Sequence, residues 1–241
     1  MAKSIEYMQT YRRRKKDGSF EDERFSFNKE YEITSFTVRN GTVIDLTKSP
    51  LKYGGAPGIN KEVKDSVRSF ENRRAQEKIE YGTSIDKYGN VLEEVSGDEG
   101  SVGSDAYLFK RTEVFSHVHP REGNLGGTFS PADIHNFSAK SIFSGSTYRA
   151  VAPEGVYVIQ KESNFNYKMR NAYKKFSERL DANFAPTLNK IQGWYDSRQI
   201  SKADADELFR RADTMRFVAL HNWLLSNQKN YGYKYGLERL K

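Results

Sequence analysis

The sequence contains no cysteine. Disulfides are excluded, and so is every thiolate metal site, so a transition metal held by this chain must take its ligands from histidines and carboxylates. The absence also fits a reducing compartment. No apolar run approaches the ~20 residues needed to span a bilayer, and the opening residues lack the apolar stretch of a secretory signal. The chain is therefore expected to be soluble and cytoplasmic, with no membrane partner. Apolar residues are scarce at 37%, against 29% charged, which suits a compact core carrying long polar extensions. Histidine is rare as well, with only 4 in the chain, and two of them fall at i and i+2.

Aromatic residues are plentiful at 13%, and the 241 residues suffice for one large domain with sizeable extensions. The formal net charge is +7 and the isoelectric point about 9.3. Such a balance attracts nucleic acid or acidic protein surfaces without specifying a fold. Part of the excess is concentrated in Arg12, Arg13, Arg14, Lys15 and Lys16. That run reads either as a solvated tail or as a nonspecific nucleic-acid contact.

Along the chain, residues 1–60 read as an extended basic arm. Within it Phe36 to Leu46 is expected to form a β-hairpin about Asn40-Gly41. Residues 61–162 read as an α+β domain with a mostly antiparallel sheet and flanking helices. Val63, Val67, Phe70 and Ala75 recur at helical spacing between Asn60 and Lys78. A strand over 79–86, a turn at Lys87 to Asn90 and a return strand over Val91 to Val95 follow. The next strand spans Tyr107 to Phe115 and leads into the histidines, and a further hairpin covers 146–151 and 155–160. Residues 163–241 read as a helical extension packing on that domain. One helix is expected to end near Pro186, a second to start at the capping box Ser201 to Asp204, and residues 228–236 to form a polar, tyrosine-rich tail.

The most informative stretch is Phe115-Ser-His117-Val-His119-Pro120, followed by a glycine-bearing loop into Ser130-Pro131-Ala-Asp133. On a strand, side chains i and i+2 share a face, so His117 and His119 would point the same way. Asp133, at a helix start, could return as a third ligand. Two imidazoles, one carboxylate and a position left for water make a catalytic rather than a structural zinc site. An alternative needs no metal, with Ser130 as N-cap, Pro131 at N1 and Asp133 at N3 of an ordinary helix. A catalytic zinc also calls for a base to carry the water's proton. Glu80 is the candidate; Glu113, four residues before His117, would lie roughly 13 Å from it along the strand.

Together, Glu80, Ser-His117-Val-His119-Pro120 and Ser130-Pro-Ala-Asp133-Ile resemble the JAMM (MPN+, JAB-like) metalloprotease signature: a distant glutamate, His-x-His-Pro, then Ser-x-x-Asp. Asp86 and Asn90 in the strand-turn-strand after Glu80 are similar to the RadC-type branch. Gly126-Gly-Thr-Phe-Ser-Pro-Ala-Asp-Ile134, Tyr148 to Val151 with Gly155-Val-Tyr157, Trp223 and Gly232-Tyr-Lys-Tyr235 resemble JAB-like domains attached to phage head-morphogenesis (MuF-type minor capsid) proteins. The resemblance covers about residues 75–240 and leaves out the N-terminal arm. It implies that His117, His119 and Asp133 ligate Zn2+, that Glu80 is the general acid/base, and that Ser130 hydrogen-bonds the oxyanion. The nine residues 121–129 between Pro120 and Ser130 exceed the family's usual spacing, so they form a bulge, a lid or an obstruction.

Two functions follow. One is a phage-encoded zinc peptidase or isopeptidase acting on a protein substrate in a host cytoplasm. The other is a virion or head-associated structural protein that keeps the fold without catalysis and binds other phage structural proteins. A metal-dependent nuclease would use the positive charge on phosphates, but no second carboxylate cluster or Asn/His pair is placed for that chemistry.

Overall fold

The computed structural model describes residues 51, 53–98, 102, 111–119, 127–139 and 147–240, together with the backbone of strands at 7–14, 20–27, 33–37 and 43–45. Lys15, Lys16, the Asn40-Gly41 turn, residues 107–110 of the strand expected before the histidines, and the loop at 120–126 lie outside the described residues.

The strands β1 (Tyr7–Arg14), β2 (Phe20–Phe27), β3 (Ile33–Thr37) and β4 (Val43–Asp45) come first. They are followed by α1 (Lys61–Arg74), β5 (Tyr81–Ile85), β6 (Val91–Ser96), β7 (Val114–Val118) and α2 (Pro131–Ala139). The chain continues through β8 (Thr147–Ala152), β9 (Gly155–Lys161), α3 (Lys168–Asp196), α4 (Lys202–Tyr231) and β10 (Tyr233–Glu238). Among the described residues no helix is long and apolar enough to cross a membrane. The chain divides into two compact units, one of Met1–Leu51 with Glu178–Ala219 and one of Lys52–Ser177 with Leu220–Lys241.

The first unit contains a four-stranded antiparallel meander in the order β1-β2-β3-β4, the C-terminal part of α3 and the N-terminal part of α4. The helix expected to stop near Pro186 runs through it to Asp196. A proline inside a helix removes one backbone bond and usually kinks or ends it. Here Phe184 and Ile191 are buried on either side of Pro186, and continuing the helix keeps both of them inside. The capping box at the next helix forms as read, with the Ser201 hydroxyl donating to Asp204 Oδ2 at 2.7 Å.

The second unit is α+β. Its six-stranded open sheet has the order β10-β9-β8-β7-β5-β6, antiparallel except for the parallel pair β7–β8. A parallel pair needs a crossover, and α2 lies within that connection. One face of the sheet is covered by α1. Asn60 caps this helix by accepting the Val63 amide at 2.9 Å. Val63 and Val67 pack with Ile85 and Val114, while Phe70 packs with Val118, Val151, Val156 and Val158.

Phe137 from α2, Tyr173 from α3 and His221 from α4 meet the other face; ring pairs such as Phe137–Tyr148 and Tyr157–His221 mark the contact. The expected tyrosine-rich tail is part of this core. Gly232 turns the chain at φ 65°, and β10 pairs with β9 with Tyr233 and Tyr235 buried. The alternation Tyr233-Lys-Tyr235-Gly-Leu237-Glu has the period of a half-buried strand.

Candidate metal centre

β7 pairs with β5 in a register that sets Gly82 opposite His117. Continued by two residues, that register sets Glu80 opposite His119. Opposed residues of antiparallel strands share a face, so Glu80, His117 and His119 all look to one side of the sheet. Glu80 lies just before β5 and is still held as strand, its N–H donating to the Asp98 carbonyl at 2.7 Å and its carbonyl accepting Gly97 N–H at 2.7 Å. His119 follows β7 but keeps the ladder through its N–H to the Val151 carbonyl at 2.7 Å. Glu113, the other candidate base, sits at the opposite end of β7.

The crossover brings the first turn of α2 to the end of the strand that carries the histidines. Ser130 and Asp133 form a reciprocal cap, with Ser130 N–H and Oγ donating to Asp133 Oδ2 at 2.8 and 2.7 Å. The Asp133 N–H returns a bond to Ser130 Oγ at 3.1 Å. The same carboxylate faces the histidines, with Oδ1 3.2 Å from His117 Nε2 and Oδ2 3.5 Å from His119 Nε2. Helix cap and metal-ligand position, read from sequence as alternatives, coincide in one residue.

The two Nε2 atoms lie 2.8 Å apart. His119 Nδ1 is 3.1 Å from the Gly127 carbonyl, an acceptor only, so Nδ1 carries the proton and Nε2 of the neutral ring presents a lone pair. Facing His117 Nε2 at 2.8 Å, that lone pair is met either by a proton on His117 or by a cation shared between the two rings. The donor atoms of His117, His119 and Asp133 all fall within 4.8 Å of one another, the one such cluster found among the described residues. Zinc with arms of about 2.0–2.1 Å holds tetrahedral ligands roughly 3.3–3.4 Å apart. The His–Asp separations, 3.2 Å to Oδ1 and 3.5 Å to Oδ2, are of that size although they run to different oxygens of the carboxylate, and the two nitrogens lie about half an ångström inside it. The donor set, the tautomer and the spacing therefore fit a small divalent cation.

Electrostatics agree with the geometry. Burial alone would raise Asp133, but the charges and hydrogen bonds of the two histidines hold it well below the ordinary carboxylate range. Burial likewise opposes charge on His119, yet Asp133, Glu80 and the Gly127 carbonyl together push its imidazole above the usual value. Glu80 is raised chiefly by burial, with the histidines pulling it back and Asp133 adding to the rise.

Aromatic rings form the wall. Phe115, Tyr148 and Phe129 lie 5.7, 5.5 and 6.3 Å from the His117 ring, centroid to centroid. His117 Nδ1 is buried among the described residues without a hydrogen-bond partner. Behind His119, Gly127 donates its N–H to Glu154 Oε1 at 3.0 Å, and Glu154 also accepts the Tyr157 hydroxyl at 2.6 Å.

The structure thus brings His117, His119, Ser130 and Asp133 together and sets Glu80 on the same face of the sheet. Sequence reasoning missed Gly127, whose carbonyl fixes a tautomer that no side-chain motif records, and Glu154, read only as part of a turn. No family model, curated protein or solved structure matches the chain.

Proposed function

We propose that the chain is a zinc-dependent JAMM-like peptidase or isopeptidase, phage-encoded and acting on a protein substrate. The observation that carries this reading is the convergence of two Nε2 atoms and one carboxylate on the face from which Glu80 also looks. His117, His119 and Asp133 would hold the metal. When bound, zinc lowers the pKa of water and polarises a carbonyl, the two things amide hydrolysis lacks at neutral pH.

Glu80 is the proton carrier. Its raised pKa brings it closer to working pH than an exposed carboxylate, so it accepts a proton from the attacking water and returns it to the leaving amine. The Ser130 hydroxyl donates to Asp133 in this structure and so orients a ligand. The oxyanion role requires that proton to swing to the substrate. The aromatic wall keeps the charges in a low-dielectric setting, where they act more strongly.

A satisfied cap on Asp133 and its close approach to both histidines also support the second reading, a head-associated structural protein that keeps the fold without catalysis. One experiment separates them. Zinc per chain is measured by elemental mass spectrometry on wild type, Glu80→Gln and Asp133→Ala, alongside hydrolysis of peptide and isopeptide substrates. The hydrolase reading expects about one zinc per chain, retained by Glu80→Gln with turnover lowered roughly 10²–10⁴-fold, and lost in Asp133→Ala. Wild type without zinc after metal supply overturns it.

A further inference from the structure

The segment 127–130 links the loop after the histidines to the helix carrying Asp133, and it is clamped from several sides. Gly127 is held between Glu154 and His119. Thr128 Oγ1 lies 2.6 Å from the Tyr235 hydroxyl, itself 2.7 Å from His221 Nδ1, so that Thr128, Tyr235 and His221 form a buried hydrogen-bond chain. The Phe129 carbonyl accepts the Tyr173 hydroxyl at 2.5 Å. The Phe129 ring also meets Tyr235 edge-on at 6.3 Å. Thus α3 and β10 each place one buried hydroxyl on four residues that contain, or directly adjoin, groups orienting the cluster, and α4 backs the β10 tyrosine through His221.

The core alone does not require these hydroxyls. Phenylalanine would fill the same space, and burial of a phenol is costly unless its O–H is bonded. A hydroxyl at Tyr235 is explained by what it holds, which is Thr128, one residue from the carbonyl that sets the His119 tautomer. Groups behind a ligand commonly fix its ring orientation, and their loss lowers metal affinity about 10–100-fold.

We infer that Tyr235 and Tyr173 are positioning residues of the metal centre: through Thr128 and Phe129 they hold the Gly127 carbonyl against His119 Nδ1 and the first turn of α2 against the histidines. The inference rests on the metal reading above and assigns the helical extension a part in the site. His221 anchors Tyr235 from α4, so the clamp joins the site to a helix beginning some seventy residues after Asp133.

Tyr233 supplies the control. It lies two residues away on β10, is equally buried, and donates its hydroxyl to the Leu224 carbonyl at 2.7 Å rather than to the loop. Full-length wild type, Tyr235→Phe, Thr128→Val and Tyr233→Phe are titrated with cobalt(II), reading the visible d–d bands, and with zinc against a chromogenic chelator. Tyr235→Phe and Thr128→Val should each weaken affinity roughly tenfold and shift the cobalt bands, while Tyr233→Phe binds as wild type. Equal affinity in Tyr235→Phe and wild type, or an equal loss in Tyr233→Phe, overturns the inference.

A second readout is independent of metal. In metal-free protein, the His119 Nδ1 proton followed by NMR should exchange faster in Tyr235→Phe than in wild type or Tyr233→Phe. If wild type takes up no metal the hydrolase reading fails, and this proton alone then decides the clamp. Unchanged exchange overturns it.

Discussion

Ser116 and His117 are neighbours on β7 and point to opposite faces of one sheet, each into a buried charged cluster. On the Ser116 face, Arg149 gives Nε to Glu71 Oε1 at 2.6 Å and Nη2 to Glu71 Oε2 and Glu238 Oε2, each at 3.0 Å. The Ser116 hydroxyl completes Glu71 Oε1 at 2.9 Å. Opposite charges meet donor to acceptor, and the group closes on itself. On the His117 face two ring nitrogens point at each other and His117 Nδ1 finds no partner among the described residues. Buried polar groups are almost always paired, so a closed network reads as architecture and a converging one as a place for something else. Sheet alternation keeps the two apart although they share strands.

The largest expected effect falls on the closed face. Arg149→Met strands the Glu71 carboxylate in the core and should cost about 3–5 kcal/mol in urea unfolding, with zinc per folded chain unchanged. Loss of metal in that variant would show that the faces are not independent. Next is the gain from ligand on the open face. Zinc at a hundredfold excess over its Kd should raise the unfolding free energy of wild type by about 2.7 kcal/mol and leave His117→Ala unmoved. The closed cluster has no counterpart to this response. Smallest is Ser130→Ala, which removes the N-cap and should cost about 1 kcal/mol while weakening zinc binding through a looser Asp133. A stability loss with unaltered zinc affinity would reduce Ser130 to a cap.

Much of the α+β unit was legible because its signals are local. Helical spacing in Val63, Val67 and Phe70, the turn at Lys87 to Asn90, and the hairpin about Pro153 each lie within a dozen residues or so. The site was legible for a similar reason, since His117 and His119 share a strand face and Ser130 and Asp133 share a helix turn. Glu80 could be named as a candidate base but not placed, because its position opposite His119 comes from strand register that no short window displays. What could not be read is what joins distant parts. The Thr128–Tyr235 bond spans 107 positions and leaves no periodic trace. Pro186 misled because a local rule was overridden by burial around it, and the tyrosine-rich tail hid a strand because its pairing partner β9 lies some seventy residues earlier.

The strand β10 carries a consequence for how the protein is made. His117, His119 and Asp133 leave the ribosome well before Tyr235, and at 5–20 residues per second the 107 positions from Thr128 to Tyr235 take about 5–20 s to synthesise. Until then the sheet lacks its β10 edge and the segment at 127–130 lacks its tyrosine hold. A nascent chain would expose the two histidines and the aspartate without a settled geometry, and their convergence would follow translation of β10.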